Sequence, residues 1–257
     1  MPSRSQSRRW RSLQRRKGRA RHGLFLAEGP HLVEELLDGA LEIRQVLHTP
    51  EGADDPEIGR LLELCRERGV PLEEVEAAEL AEFADTVTPQ GVLAVAEIPS
   101  GGWDRVPDGD LLVCDGIQDP GNLGTILRTA EALGAAGAVS LKGTVDLWNP
   151  KTVRASAGSV FRIPVLDADW DEASAQLEDR GLAVWAADVD GDPLDRADPV
   201  PERVALVLGN EGSGVRPEIL GAADRRVAVR LPGPVESLNV AVAAALLMDR
   251  IFSARRS

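Results

Sequence analysis

The sequence predicts an α/β chain in two parts, a small α/β unit followed by a larger one built on a mostly parallel sheet. Three observations lead there. Beyond residue 110, short continuous apolar runs alternate with helix-length amphipathic stretches, as in parallel strands buried on both faces beneath covering helices. Ahead of them lies Ile98-Pro99-Ser100-Gly101-Gly102-Trp103, whose Pro and Gly content marks a linker. At 257 residues, 43% hydrophobic and 28% charged, the composition is globular, and at about 150 residues per domain the length allows one large domain or two modest ones.

In the first part, Leu24–Ala27 reads as a short strand, and Gly29-Pro30 opens a helix whose Leu32, Val33, Leu36 and Leu37 share one face. Ile43–Leu47 is the next strand, Ile58–Arg68 a helix ended by Gly69, Glu79–Ala84 a short helix and Gly91–Ala96 a buried strand. In the second part, strands are expected at Leu111–Asp115, Ala138–Leu141, Arg162–Leu166, Leu182–Ala187, Val204–Leu208 and Val227–Leu231. Helices are expected at Gly121–Leu133, Asn149–Ser159, Trp170–Arg180 and Leu238–Phe252. The division is therefore a basic arm over 1–22, a first domain over 23–98, a linker over 99–109 and a second domain over 110–257.

Several classes are excluded by composition. The longest apolar run, Val240–Met248, has nine residues, short of the ~20 that span a bilayer. Two distant cysteines, Cys65 and Cys114, make neither a disulfide framework nor a Cys-rich metal site, and no metal is expected. Such sparse cysteine suits a reducing compartment, so the expected location is cytoplasmic. Lysines number only three, and no GxxxxGK[ST] loop occurs, which disfavours phosphate cradling by lysine and Schiff-base chemistry.

Residues 1–22 hold nine Lys or Arg and no acid, leaving 20 basic against 42 acidic residues elsewhere, a net of −22 on the body of the chain. Cationic side chains near phosphates release condensed counterions. A basic arm on an acidic body is thus a polyanion-binding signature, with Arg15, Arg16, Lys17, Arg19 and Arg21 as candidate nucleic-acid contacts. Two other readings stay open: a disordered solubilising tail, or an Arg- and Ser-rich transit peptide. A secretory signal is excluded because Glu28 cuts off the first apolar run.

In open α/β sheets, ligands bind beyond the carboxyl ends of the strands, and three polar, Gly-rich segments are expected there. The first is Asp115-Gly116-Ile117-Gln118-Asp119-Pro120-Gly121-Asn122-Leu123-Gly124 with Arg128. It opens a helix, whose free N–H groups favour anions, although a plain turn with a solvated arginine explains it equally well. The second is Leu208-Gly209-Asn210-Glu211-Gly212-Ser213-Gly214, more glycine than a tight turn needs. The third is Leu231-Pro232-Gly233-Pro234-Val235-Glu236-Ser237-Leu238-Asn239-Val240, in which Ser237 is a plausible cap for the last helix.

Together, in this order and spacing, the three segments resemble the motifs of the SpoU (TrmH-like) RNA 2′-O-ribose methyltransferases. Gly23-Leu24-Phe25-Leu26-Ala27-Glu28-Gly29 and Pro89-Gln90-Gly91-Val92-Leu93-Ala94 are similar to the L30e-like substrate-binding domain of many members. The resemblance implies a SPOUT α/β domain with a C-terminal trefoil knot, a homodimer, and S-adenosylmethionine as cofactor. It implies that Leu208, Gly209, Asn210, Leu231, Ser237 and Leu238 hold the cofactor, and that Arg128, Asn122, Glu211, Ser237 and Asn239 form the catalytic set. The stretch Pro232–Glu236 departs from the Pro-Met pattern of many members, which puts the contacts of that loop in doubt.

The implied reaction moves a methyl group to a ribose 2′-hydroxyl, which must lose its proton. No His or Tyr follows residue 48. The resemblance implies Arg128 as the base, but a guanidinium stays protonated. The alternative is that Arg128 positions the ribose or its phosphate and stabilises the alkoxide while a phosphate or water takes the proton. The same resemblance, through the front domain, implies ribosomal RNA rather than transfer RNA as the substrate. A non-catalytic RNA-binding protein on the same scaffold is the rival class.

Overall fold

The computed structural model describes residues 3–195 and 198–252; Met1 and Pro2 of the basic arm, and residues 253–257 of the expected second domain, lie outside the described residues. The elements of the first hundred residues are α1 (Arg4–Ser12), α2 (Arg16–His22), β1 (Leu24–Glu28), α3 (Pro30–Asp38), β2 (Ile43–His48), α4 (Pro50–Ala53), α5 (Pro56–Glu67), β3 (Leu72–Glu74), α6 (Ala77–Phe83) and β4 (Val92–Glu97). After a 3-10 turn at Trp103–Arg105 come β5 (Leu111–Asp115), α7 (Pro120–Ala132), β6 (Gly137–Leu141), α8 (Pro150–Ala155), α9 (Ser159–Arg162), β7 (Val165–Ala168) and α10 (Trp170–Asp179). The chain ends with β8 (Ala183–Pro193), β9 (Val204–Gly209), α11 (Pro217–Ala222), β10 (Arg225–Ala228) and α12 (Val240–Phe252). Two compact units result. One runs to Ser100 and takes in Trp148–Arg162; the other comprises Gly101–Leu147 and the chain from Ile163 on.

These units differ from the expected division in two places. First, residues 3–22 are not a tail without structure. Ser3 and Gln6 open α1 with reciprocal hydrogen bonds, Gln6 N–H to Ser3 Oγ and Ser3 N–H to Gln6 Oε1. Trp10 and Leu13 are buried with Leu24, Leu26, Leu80, Phe83 and Leu93, and Trp10 meets Phe83 edge-on at 5.7 Å. Burying each such side chain stabilises the fold by about 1.5–3 kcal/mol, enough to fix a short helix that would not persist alone.

Second, Trp148–Arg162 belongs with the first unit because of the two-residue period of β1. Leu24 and Leu26 sit in the cluster that holds Trp10. Phe25 between them points to the opposite face of the sheet, where its ring meets Trp148 at 4.6 Å and Phe161 at 5.5 Å. The single helix expected over Asn149–Ser159 is two, broken where Ala157 (φ +48°) and Gly158 (φ +87°) take left-handed conformations. Arg162, expected to begin a strand, ends α9 and pairs with Glu35; the strand starts after Pro164, at Val165.

The first unit's sheet has the order β1-β4-β2-β3, antiparallel except for the β2–β3 pair. In the second unit six strands, all paired in parallel, take the order β10-β8-β9-β5-β6-β7. Strands β5, β6 and β9 are buried along their whole length, as continuous apolar runs in a two-faced sheet require. The strand expected over Val227–Leu231 lies at Arg225–Ala228, where it pairs with β8 across a register shift. From β5 the chain proceeds outward to β6 and β7, whereas β9 returns to β5 on its other side. The order therefore reverses between β5 and β9, the switch point at which such sheets bind ligands.

Candidate active site

The carboxyl ends of β5 and β9 lie side by side, with Asp115 in register with Gly209. The two loops that leave them are tied directly. Asn210 Nδ2 donates to the Gly116 carbonyl (2.8 Å), while its Oδ1 accepts from the N–H groups of Gly212 (2.9 Å) and Ser213 (3.0 Å). Asn210 and Gly214 close the turn through both backbone groups. Gly209 is required by close approach, since a Cβ there would fall 2.1 Å from the backbone of Gly214 and Val215.

Glu211 reaches across to the first loop. Its Oε2 accepts from the Gln118 N–H, and its Oε1 accepts from the Asp119 N–H and from Asn122 Nδ2, each at 3.1 Å. Burial pushes this carboxyl up, but the Asn122 amide and the N–H groups of Glu211, Gln118 and Asp119 outweigh it and hold the group below its usual value. Asp119 caps α7 by accepting from the Asn122 N–H (2.8 Å), with Pro120 in the first turn. Asn122 in turn accepts from Asn239 Nδ2 at 3.0 Å. A continuous chain Glu211–Asn122–Asn239 thus joins all three segments picked out in the sequence.

The cap of α12 is Asn239, not Ser237. Asn239 Oδ1 accepts from the N–H groups of Ala241 (2.9 Å) and Val242 (3.4 Å), because the helix begins two residues later than its apolar pattern suggests. Ser237 is exposed. Arg128 is also exposed on α7 and has no hydrogen-bond or ion-pair partner among the described residues. Leu208 is buried in β9, while Leu231 and Leu238 are half-buried.

Three residues outside the expected set complete the framework. Asp115, 1% exposed, accepts from the Arg216 N–H (2.9 Å) and Nε (2.7 Å). Thr144 donates to the Cys114 carbonyl (2.8 Å) and accepts from the Gly116 N–H (2.9 Å). The signal for Asp115 was an acid closing an otherwise apolar strand, which demands a partner; Thr144 carried no such signal. Burial, with a smaller effect of Asp115, pushes the Cys114 thiol up to about 12, so it is no nucleophile at neutral pH.

Whether these residues fit S-adenosylmethionine can be tested on the loop itself. Across 229–238 no backbone group makes a backbone hydrogen bond among the described residues, leaving a run of free donors and acceptors suited to the edge of a purine. It ends beside the Asn122–Asn239 contact, and the set fits the cofactor. The candidate RNA contacts belong to the first unit. Arg15, Arg16, Lys17 and Arg21 are exposed. Arg19 is a correction: it is 2% exposed and donates to the Leu13 carbonyl at 2.7 Å, which ties α2 to the end of α1 and turns its charge away from solvent.

Similarity to known proteins identifies the family. The profile of the SpoU rRNA Methylase family matches residues 110–249, and that of the MRM3-like substrate binding domain matches residues 5–94, so the helical arm falls within the latter. The chain is 35% identical over 240 residues to the 23S rRNA (guanosine(2553)-2'-O)-methyltransferase RlmP of Bacillus subtilis (strain 168), covering 93% of this chain and 92% of the relative. It is 35% identical over 199 residues to the 23S rRNA (adenosine(1067)-2'-O)-methyltransferase of Streptomyces laurentii, covering 75% and 73% respectively. The solved structure of the SpoU methyltransferase AviRb from Streptomyces viridochromogenes in complex with AdoMet matches 99% of each chain with a TM-score of 0.88 at 27% identity. The expected α/β class of these methyltransferases is the observed fold, and the chain belongs to the SpoU rRNA methylase family.

Proposed function

We propose that the protein methylates a ribose 2′-hydroxyl of ribosomal RNA, with S-adenosylmethionine as methyl donor. The observation that carries this reading is the Glu211–Asn122–Asn239 chain, which joins three loops at the switch point of the sheet and leaves Arg128 uncommitted on the helix that bears Asn122. The bound cofactor supplies an electrophilic methyl group on a sulfonium. Gly209, Asn210 and the backbone of Leu208, Leu231 and Leu238 form its cradle, and Ser237 lines it.

Arg128 binds the ribose or its phosphate and stabilises the oxygen as its proton departs. Its guanidinium remains charged throughout, so the proton passes to a phosphate oxygen or a water. Asn122 is held by Glu211 and Asn239 with its amide aligned; it orients the ribose relative to Arg128. Glu211 and Asn239 act by holding the loops.

Three finer features belong to the same reading. The C-terminal segment forms a trefoil knot: β10 lies at one edge of the sheet, yet the chain beyond it brings Asn239 to Asn122 and α12 against α7. The protein is a homodimer, supported by Val242 and Leu246, which are exposed four residues apart on α12 and form one apolar stripe. It works in the cytoplasm, where two free buried cysteines stay reduced.

The test is transfer of radiolabelled methyl from S-adenosylmethionine to ribosomal and to transfer RNA from a strain lacking the gene, followed by nuclease digestion. Label is expected on a 2′-O-methylated nucleoside from ribosomal RNA. Cofactor binding without transfer to either pool would instead favour a non-catalytic RNA-binding protein.

A further inference from the structure

The first unit carries a groove of about 560 Å³ lined by Arg8, Arg11, Ser12, Gln14, Arg15 and Glu82, remote in sequence from the three catalytic segments. Its floor is fixed. Besides the burial of Trp10 and Leu13, Ser7 Oγ donates to Glu79 Oε1 at 2.6 Å, and Gln14 Nε2 donates to the carbonyls of Glu82 (2.9 Å) and Ala84 (3.0 Å). Helix α1 is thereby pinned to α6, and the stems of its arginines start from fixed positions.

The charges in the groove are not neutralised. Acids outnumber bases 42 to 29 in this chain, and several arginines elsewhere are paired with them: Arg44 with Glu97, Arg60 with Glu34, Arg154 with Asp85 and Arg216 with Asp115. Arg8 and Arg15 have no such partner among the described residues. Arg11 is held by Glu82, the single carboxylate of the lining. Three guanidinium groups thus face one carboxylate, in a pocket too open for a small ligand to be enclosed and lined with donors suited to phosphate oxygens.

From this we infer that the groove is a binding site for the phosphodiester backbone of RNA, with Arg8 and Arg15 as standing contacts and Glu82 as an internal competitor that occupies Arg11 until a phosphate displaces it. The inference rests on the reading that the substrate is RNA, and adds where the substrate is gripped. Because α1 is already docked, little ordering is required on binding. The contact is with the backbone, so it contributes grip and register without reading sequence.

The experiment is filter binding of protein-free ribosomal RNA to the full chain across a salt series, with methyl transfer to the same RNA measured in parallel. The Arg8→Gln/Arg15→Gln double variant is expected to bind more weakly, with a log–log salt slope shallower by about 2, one for each lost phosphate contact. Glu82→Gln is expected to shift the other way, binding more tightly with a slope steeper by about 1 as Arg11 is freed. This second variant removes a carboxylate and no arginine, so it tests the groove even if the double variant folds poorly. Parent-like slopes in both variants, from a parent that binds and methylates the RNA, would overturn the groove alone. A parent that neither binds nor methylates RNA would overturn the groove together with the reading beneath it.

Discussion

The two halves of the candidate active site are built in opposite ways. In one, every polar group is committed: Glu211 accepts three hydrogen bonds, Asn122 donates to Glu211 and accepts from Asn239, and Asn239 caps α12. In the other, Arg128 has no partner among the described residues, and the backbone of 229–238 makes no backbone hydrogen bond there. The difference teaches how a small site reconciles precision with access. Groups that set positions satisfy one another, so they cost nothing to organise when a ligand arrives. Groups that must meet the ligand are left open to solvent, where an unpaired charge is cheap.

The division breaks most visibly at Arg128. Arg128→Ala should lower methyl transfer by about 100-fold or more, the scale of losing one charge-stabilising donor, while unfolding free energy moves by less than about 0.5 kcal/mol because an exposed, unpartnered side chain is removed. Arg128→Lys should not restore turnover if the planar fork is needed. Single-turnover kinetics and a denaturant melt on each variant read the two effects separately. An alanine variant that still turns over would move the chemistry away from α7.

Gly209→Ala strikes the committed half. The new methyl would meet the Gly214 and Val215 backbone at 2.1 Å, and backbone cannot swing aside as a side chain does. A loss of about 2–3 kcal/mol in unfolding free energy is expected, with cofactor binding lost alongside. A variant as stable as the parent would mean that the two strand-end loops are less tightly coupled than the Asn210 hydrogen bonds imply.

The committed half was legible in the sequence to a degree the rest was not. Glu211 stands in a loop with more glycine than a turn requires, whereas Asn122 and Asn239 are singled out only by the resemblance; hydrogen bonds join the three. The sequence offers Ser237 as the cap of the last helix, but Asn favours that position as well, and the start of α12 makes Asn239 the cap. Charge alone groups Arg19 with its neighbours; that it is buried and bonded to the end of α1 depends on a fold that charge does not reveal. The placement of Trp148–Arg162 is a similar case. Its apolar residues fit a helix anywhere, and the partner that claims them, Phe25, lies more than a hundred residues away. Helix α11 and strand β3 went unseen because they are short and lack periodicity.

The pH dependence of the Glu211 clamp sharpens the comparison further. Its carboxyl is held below the ordinary value of 4.5 despite partial desolvation, through the Asn122 amide and the N–H groups of Glu211, Gln118 and Asp119. A carboxyl depressed in the folded state contributes stability that is complete above its unfolded value and is lost as pH falls through the folded one. The clamp is therefore intact at neutral pH and fails only below pH 4.5. Because Glu211 is exposed and solvent screens its charge, Glu211→Gln should cost only about 0.5–1 kcal/mol at pH 7. The gap between variant and parent should close as both are titrated below that value. A gap that stays constant with pH would show that the charge is not what holds the loops.

The smallest effects separate two residues only two apart. Asn239→Ala removes the cap of α12 and the tie to Asn122, and should lower stability by about 1 kcal/mol. Ser237→Ala removes an exposed hydroxyl with no hydrogen-bond partner among the described residues, so the melt should shift by less than about 0.5 kcal/mol. If Ser237 serves the open half of the site, its loss should appear in the KM for S-adenosylmethionine or in turnover. Equal stability losses in the two variants would place Ser237 in the framework after all, and the boundary between committed and open groups would then lie nearer Leu231 than Asn239.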